Sequence, residues 1–82
     1  QNYPNPFNPT TTIGFTLEGS GMTTLIIYDV LGKQVRTIVN EQLESGVYHL
    51  RTFDASDLSS GVYVARLSSS GRTQIKRMLL LK

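Results

Sequence analysis

The sequence predicts an all-β protein, an antiparallel sandwich of about seven short strands. Apolar and polar residues alternate with a period of two along most of the chain, as strands with one face on a core and one in water require. Turn signals rich in Gly, Ser, Asn and Asp interrupt this pattern at intervals of roughly eight to twelve residues. No segment carries apolar residues at spacings of three and four between helix caps, so little helix is expected.

The chain begins QNYPNPFNP. Proline holds φ near one value and has no N–H to donate, so Pro4, Pro6 and Pro9 impose an extended path along a sheet edge, without full pairing. Tyr3 and Phe7, four apart in such a path, point to the same side and are expected to anchor it. Ile13, Phe15 and Leu17 then alternate with Thr12, Gly14 and Thr16 as the first secure strand. Gly19-Ser20-Gly21 turns the chain into a strand over 22–29, where Leu25 and Ile27 face one way and Ile26 and Tyr28 the other. Apolar residues on both faces mark this strand as central.

The tight turn at 30–33 places Gly32 at positive φ, which glycine adopts without a Cβ penalty. Residues 34–39 return as a strand, and the polar stretch 40–46, with Glu41 and Glu44, is expected to be a loop. Two short blocks repeat, Gly46-Val47-Tyr48 and Gly61-Val62-Tyr63, each preceded by serine. They predict glycine-led starts of two adjacent strands. Between them, 54–60 is a turn segment, with one helical turn at most, because Asp and Ser side chains bond their own backbone there. Ser69-Ser70-Gly71 is a hairpin signal leading to a last strand over 73–81.

The chain has 82 residues, no cysteine and no tryptophan. One domain, 1–82, is expected, with a thin core, since folding at this size hides roughly 60% of the unfolded surface. The lack of an inter-sheet cysteine pair and a core tryptophan excludes an antibody-type domain and leaves an immunoglobulin/fibronectin III-like sandwich without a disulfide. A start at Gln1 rather than Met is expected of a segment cut from a larger protein. The run 78–81 is far shorter than the ~20 apolar residues of a membrane-spanning helix.

The net charge of +2 is unevenly placed. From Arg66 onward there are five basic residues and no acid, against three basic and six acidic residues before it. Such an end suits phosphate, anionic lipid or an acidic protein surface, although a solvated strand face is the simpler reading. No aromatic residue interleaves the charges, which argues against nucleic acid. His49, the one histidine, alternates with Tyr48 and Leu50 and is expected to be an ordinary exposed residue on the opposite face from them. Asp54 and Asp57 lack the close alternation of oxygen ligands in a calcium loop and are expected to cap a turn, so no metal site or cofactor is expected. With no base beside a nucleophile and no glycine-rich phosphate loop, catalysis is not expected. Tyr3, Phe7, Tyr28, Tyr48, Phe53 and Tyr63 are read as packing residues rather than as a sugar-stacking platform.

Five blocks, YPNPFNPTT at 3–11, YDVLGK at 28–33, FDAS at 53–56, SGVY at 60–63 and KRMLLLK at 76–82, together resemble the C-terminal sorting domains of type IX secretion substrates, the Por secretion system tail of type A. The blocks fall in the family's order and span the chain. The resemblance implies a seven-stranded immunoglobulin-like domain without catalysis at the C-terminus of a secreted protein. It implies export through the periplasm to the cell surface or medium by an outer-membrane machine, then removal by a sortase-like protease, with the cargo joined to anionic lipopolysaccharide or released. Pro4, Asn5, Pro6, Phe7, Asp29, Gly32, Gly61 and Tyr63 would be its structural motif residues.

The terminal block, Lys76, Arg77, Met78, Leu79, Leu80, Leu81 and Lys82, is the candidate recognition segment. Met78 and Leu80 are expected to face the core, leaving Leu79, Leu81 and Lys82 toward a partner that adds a strand. One departure from the family pattern lies at Leu50-Arg51-Thr52-Phe53, where one extra residue separates the apolar pair. A β-bulge around Arg51 or Thr52 would restore a common face. Alternative functions are a carbohydrate-binding sandwich, which needs a planar row of exposed aromatics, and a structural immunoglobulin-like module of the hook-capping kind, whose Tyr-Asp and Ser-Gly-Val-Tyr blocks are similar.

Overall fold

The computed structural model describes residues 2–3 and 9–82. Its strands are β1 (Asn2–Tyr3), β2 (Thr10–Phe15), β3 (Gly21–Tyr28), β4 (Gln34–Leu43), β5 (His49–Asp54), β6 (Gly61–Ser69) and β7 (Arg72–Leu80). They form two antiparallel sheets, one ordered β1-β2-β5 and the other β4-β3-β6-β7. The links after β2, β4 and β5 cross between the sheets, which gives the expected immunoglobulin/fibronectin III-like sandwich. Pro4, Asn5, Pro6 and Phe7, and with them the expected anchoring by Phe7, lie outside the described residues. The backbone of Tyr3 pairs opposite Thr12.

The alternation of the sequence becomes the core directly. Ile13, Phe15 and Leu17 from the β2 side meet Leu25 and Ile27 of β3, Val39 of β4, Phe53 of β5, Tyr63, Ala65 and Leu67 of β6, and Met78 and Leu80 of β7. β3 is central as expected, hydrogen-bonded to β4 on one side and β6 on the other. The β6–β7 hairpin closes with Ser69 opposite Arg72, leaving Ser70 and Gly71 at φ 52° and 75°. Two consecutive left-handed residues suit the right-handed twist of the flanking strands. The β3–β4 turn has Gly32 at φ 84°, as its sequence requires.

Several expectations are corrected by pairing. Residues 40–43 are not loop: β4 continues to Leu43, because Gly21 to Thr24 of β3 offer backbone partners to its polar end. The two glycine-led blocks do not start adjacent strands, since β5 and β6 belong to opposite sheets and β5 begins only at His49. The bulge expected in β5 is absent, and its register with β2 runs unbroken from Thr10↔Asp54 to Phe15↔His49. Leu50 and Phe53 therefore face opposite ways, Leu50 outward at 55% exposure and Phe53 into the core. The irregularities fall in β4 instead, between Leu25/Ile26 and Ile27/Tyr28 of its partner β3. Those shifts leave Val35 and Ile38 as the extra residues, and both pack against the core.

Candidate functional site

One end of the sandwich is built from the short motifs. Asp29, at the end of β3, accepts the Leu31 and Lys33 backbone N–H groups on one carboxylate oxygen at 2.9 Å each. Its own backbone N–H bonds the Lys33 carbonyl and its carbonyl receives Gly32 N–H. A side chain that accepts from two turn amides is the reason an aspartate begins this turn. Across the same end, the Tyr63 hydroxyl of β6 donates to the Ser59 carbonyl at 2.6 Å. A tyrosine at the start of this strand bonding back to the preceding corner is a hallmark of immunoglobulin-like sandwiches. Gly61 begins β6 opposite Leu80, so the SGVY block is tied to the terminal strand.

The 55–60 link is held from both sides. Asp54 accepts Ser56 N–H at 2.9 Å, and Leu58 N–H bonds the Ala55 carbonyl, the single turn that the sequence predicts. Arg36 of β4 stands over the Phe53 ring, donates to the Asp54 carbonyl at 2.9 Å, and meets both Asp57 carboxylate oxygens at 2.8 and 3.0 Å. The Arg36 hydrogen bond holds the Asp57 carboxyl below its ordinary range, and the Ser56 backbone N–H does the same for Asp54. Asp57 is thus an ion-pair partner rather than a turn cap. Arg36 escapes sequence reading because an arginine in a strand resembles any solvated charge, and the β4 irregularity that aims it across the sheets has no local signature.

β7 is an edge strand of the four-stranded sheet. Met78 and Leu80 are fully buried, as expected, so in the folded domain they hold the strand and do not face a partner. Leu79 and Leu81 are exposed, as are Lys76, Arg77 and Lys82. Lys82 is tethered: its backbone N–H donates to Ser60 Oγ at 3.0 Å and its ammonium to the Ser56 carbonyl at 2.6 Å. The terminal block, the SGVY corner and the FDAS turn are therefore one contiguous region.

The aromatics do not form a planar exposed row among the described side chains. Phe53 and Tyr63 are buried and Tyr28 is half-buried. Tyr48 is exposed, with its ring end lying over Gly14 so closely that a Cβ there would collide with it. His49 is corrected from an ordinary exposed residue. It is half-buried, stacks on Phe15 with centroids 5.3 Å apart, and has Nε2 2.8 Å from the Glu44 carbonyl. It faces inward because β5 is paired with β2 in the register that brings Phe53 to the core.

Residues 1–81 match the family described as the secretion system C-terminal sorting domain. The chain belongs to that family. No curated protein and no solved structure matches it. The sorting domain is a C-terminal signal for type IX secretion, and its work is to engage the secretion machinery so that the protein carrying it reaches the cell surface or medium. Each motif of the sorting domain that falls on described residues has a structural task. YDVLGK makes the Asp29-capped turn, FDAS the Arg36-held link, SGVY the tyrosine corner, and KRMLLLK the edge strand and its tether.

Proposed function

We propose that this sorting domain acts without catalysis and is read by the outer-membrane secretion machinery through its terminal segment, 76–82. The reading is carried by one observation: β7 lies at a sheet edge, with Leu79, Leu81 and Arg77 exposed, while Met78 and Leu80 lock the strand from within. A partner strand laid along such an edge gains main-chain bonds, and alternate side chains give specificity. The 82 residues act as a single domain at the end of a larger cargo, which passes through the periplasm. A sortase-like protease then removes the domain, and the cargo is released or joined to anionic lipopolysaccharide.

The test is a passive reporter carrying the sorting domain at its C-terminus, expressed in a host with a type IX system and in one whose system is disabled. Reporter at the surface or in the medium of the first host alone is expected, and truncation of 78–82 should abolish it. Retention in both hosts would overturn the reading, as would normal export after truncation.

A further inference from the structure

The outward face of the four-stranded sheet is divided. Toward one end, the row Asn40–Thr24–Ser68–Thr73 is polar, as a solvated sheet face normally is. Toward the other, Ile26 lies opposite Arg66 and Arg66 opposite Ile75, and Tyr28 lies opposite Val64. Val62 and Leu79 extend this apolar half, Arg77 lies opposite Val64, and Thr37 and Gln34 of β4, opposite Ile26 and Tyr28, form its polar margin. Ile75 is 65% exposed, and Val30 and Leu31 in the adjoining turn are 69% and 90% exposed. A depression of about 320 Å³ opens here, lined by Tyr28, Asp29, Val30, Val64, Arg66 and Ile75.

Arg66 stands on the outward side of an inner strand, between two isoleucines, and among the described residues it makes no ion pair. The outward positions of this half carry Arg66 and Arg77 and no acid; the Asp29 carboxylate already accepts the turn amides. Arginine and tyrosine amid aliphatic side chains, with Asp29 the one acid beside them and already engaged by the turn, is the composition of an interface centre. Two arginines are fewer than the clusters of four to eight cations that hold proteins to anionic lipid surfaces.

We propose that this face docks a protein segment of the secretion machinery that seats an apolar side chain in the depression and brings a carboxylate onto Arg66. The planar guanidinium suits a two-point bond to that carboxylate. The inference rests on the sorting reading above and adds a second contact to the terminal segment, on the face rather than the edge of the sheet.

The test uses the reporter fusion with benzoylphenylalanine at Ile75, in the apolar half, or at Thr73, in the polar half. Light should join Ile75→benzoylphenylalanine, but not Thr73→benzoylphenylalanine, to an outer-membrane component of the type IX system. Arg66→Glu should lower both crosslinking and export at least about tenfold, as reversal of a centrally placed interface charge does, whereas Arg66→Lys keeps most export. Ile75→Gln, a second exposed change, should also lower export, and the purified variants should melt within a few degrees of wild type. Normal export of Arg66→Glu and Ile75→Gln beside an exported wild type would overturn the inference and leave the sorting reading intact. A wild-type reporter that is not exported would overturn the sorting reading itself. Arg66-dependent sedimentation with phosphatidylglycerol vesicles, or a dimer in solution broken by Ile75→Gln, would assign the face to lipid or to a second copy and would also overturn the inference.

Discussion

The Tyr63 hydroxyl reaches back four residues to the Ser59 carbonyl at 2.6 Å, while the Tyr63 ring is buried in the core. This bond joins the start of β6 to the link that also holds Arg36 and Lys82. Tyr63→Phe keeps the ring and removes the donor, leaving a partly buried carbonyl without that partner. We expect a loss of about 1 kcal/mol, which for a domain of this size lowers the melting temperature by roughly 4–8 °C. Thermal and urea unfolding monitored by circular dichroism check this.

Gly32 sits at φ 84° with open space where a Cβ would point. Gly32→Ala therefore costs only the backbone penalty of the left-handed region, about 1–2 kcal/mol. Gly32→Asn, which tolerates that region better, should cost less. Equal losses for the two variants in urea titrations would show that a contact rather than φ governs the turn.

Asp57 and Asp54 both have carboxyls held below their ordinary range, by Arg36 and by the Ser56 N–H respectively. A group whose pKa is lower folded than unfolded stabilises the fold above the unfolded value, about 3.9, and that contribution disappears as pH falls through the folded value. The urea midpoint should fall on acidification below about pH 4. Asp57→Asn should be less stable than wild type near neutrality, with the difference closing in acid. A difference that stays constant with pH would show that the ion pair is not responsible.

Leu80 and Leu79 are neighbours with opposite tasks. Leu80 is fully buried and Leu79 is 38% exposed. Leu80→Ala should cost about 2–5 kcal/mol, whereas Leu79→Ala should cost under about 1 kcal/mol in denaturant unfolding. Export should separate from stability: Leu79→Asp should reduce reporter secretion while the domain remains folded.

How much of this was legible in the sequence varies element by element. Leu25 and Ile27 against Ile26 and Tyr28, and Met78 and Leu80 against Leu79, follow from period-two alternation. Gly32 follows from its turn. The face that β5 buries is ambiguous in the sequence, because Tyr48 and Leu50 suggest one apolar face while His49, Arg51 and Phe53 occupy the other, and both patterns are locally acceptable. Pairing of β5 with β2, Thr11 opposite Phe53, selects the face that buries the phenylalanine. The terminal block was legible as a unit, but its tether through Lys82 to Ser56 and Ser60 was not.

By itself the sequence determined the strand class, most turns, the core-facing residues of the clearly alternating strands and the family, because these depend on neighbours within a few positions or on whole short motifs. The tertiary structure alone decided that β5 and β6 lie in opposite sheets, that Arg36 crosses between the sheets to Asp57, and that Arg66 stands between Ile26 and Ile75. Those facts arise from pairing between residues far apart in the chain. A period of two states that a strand has two faces, but only the strands beside and beneath it settle which face is buried.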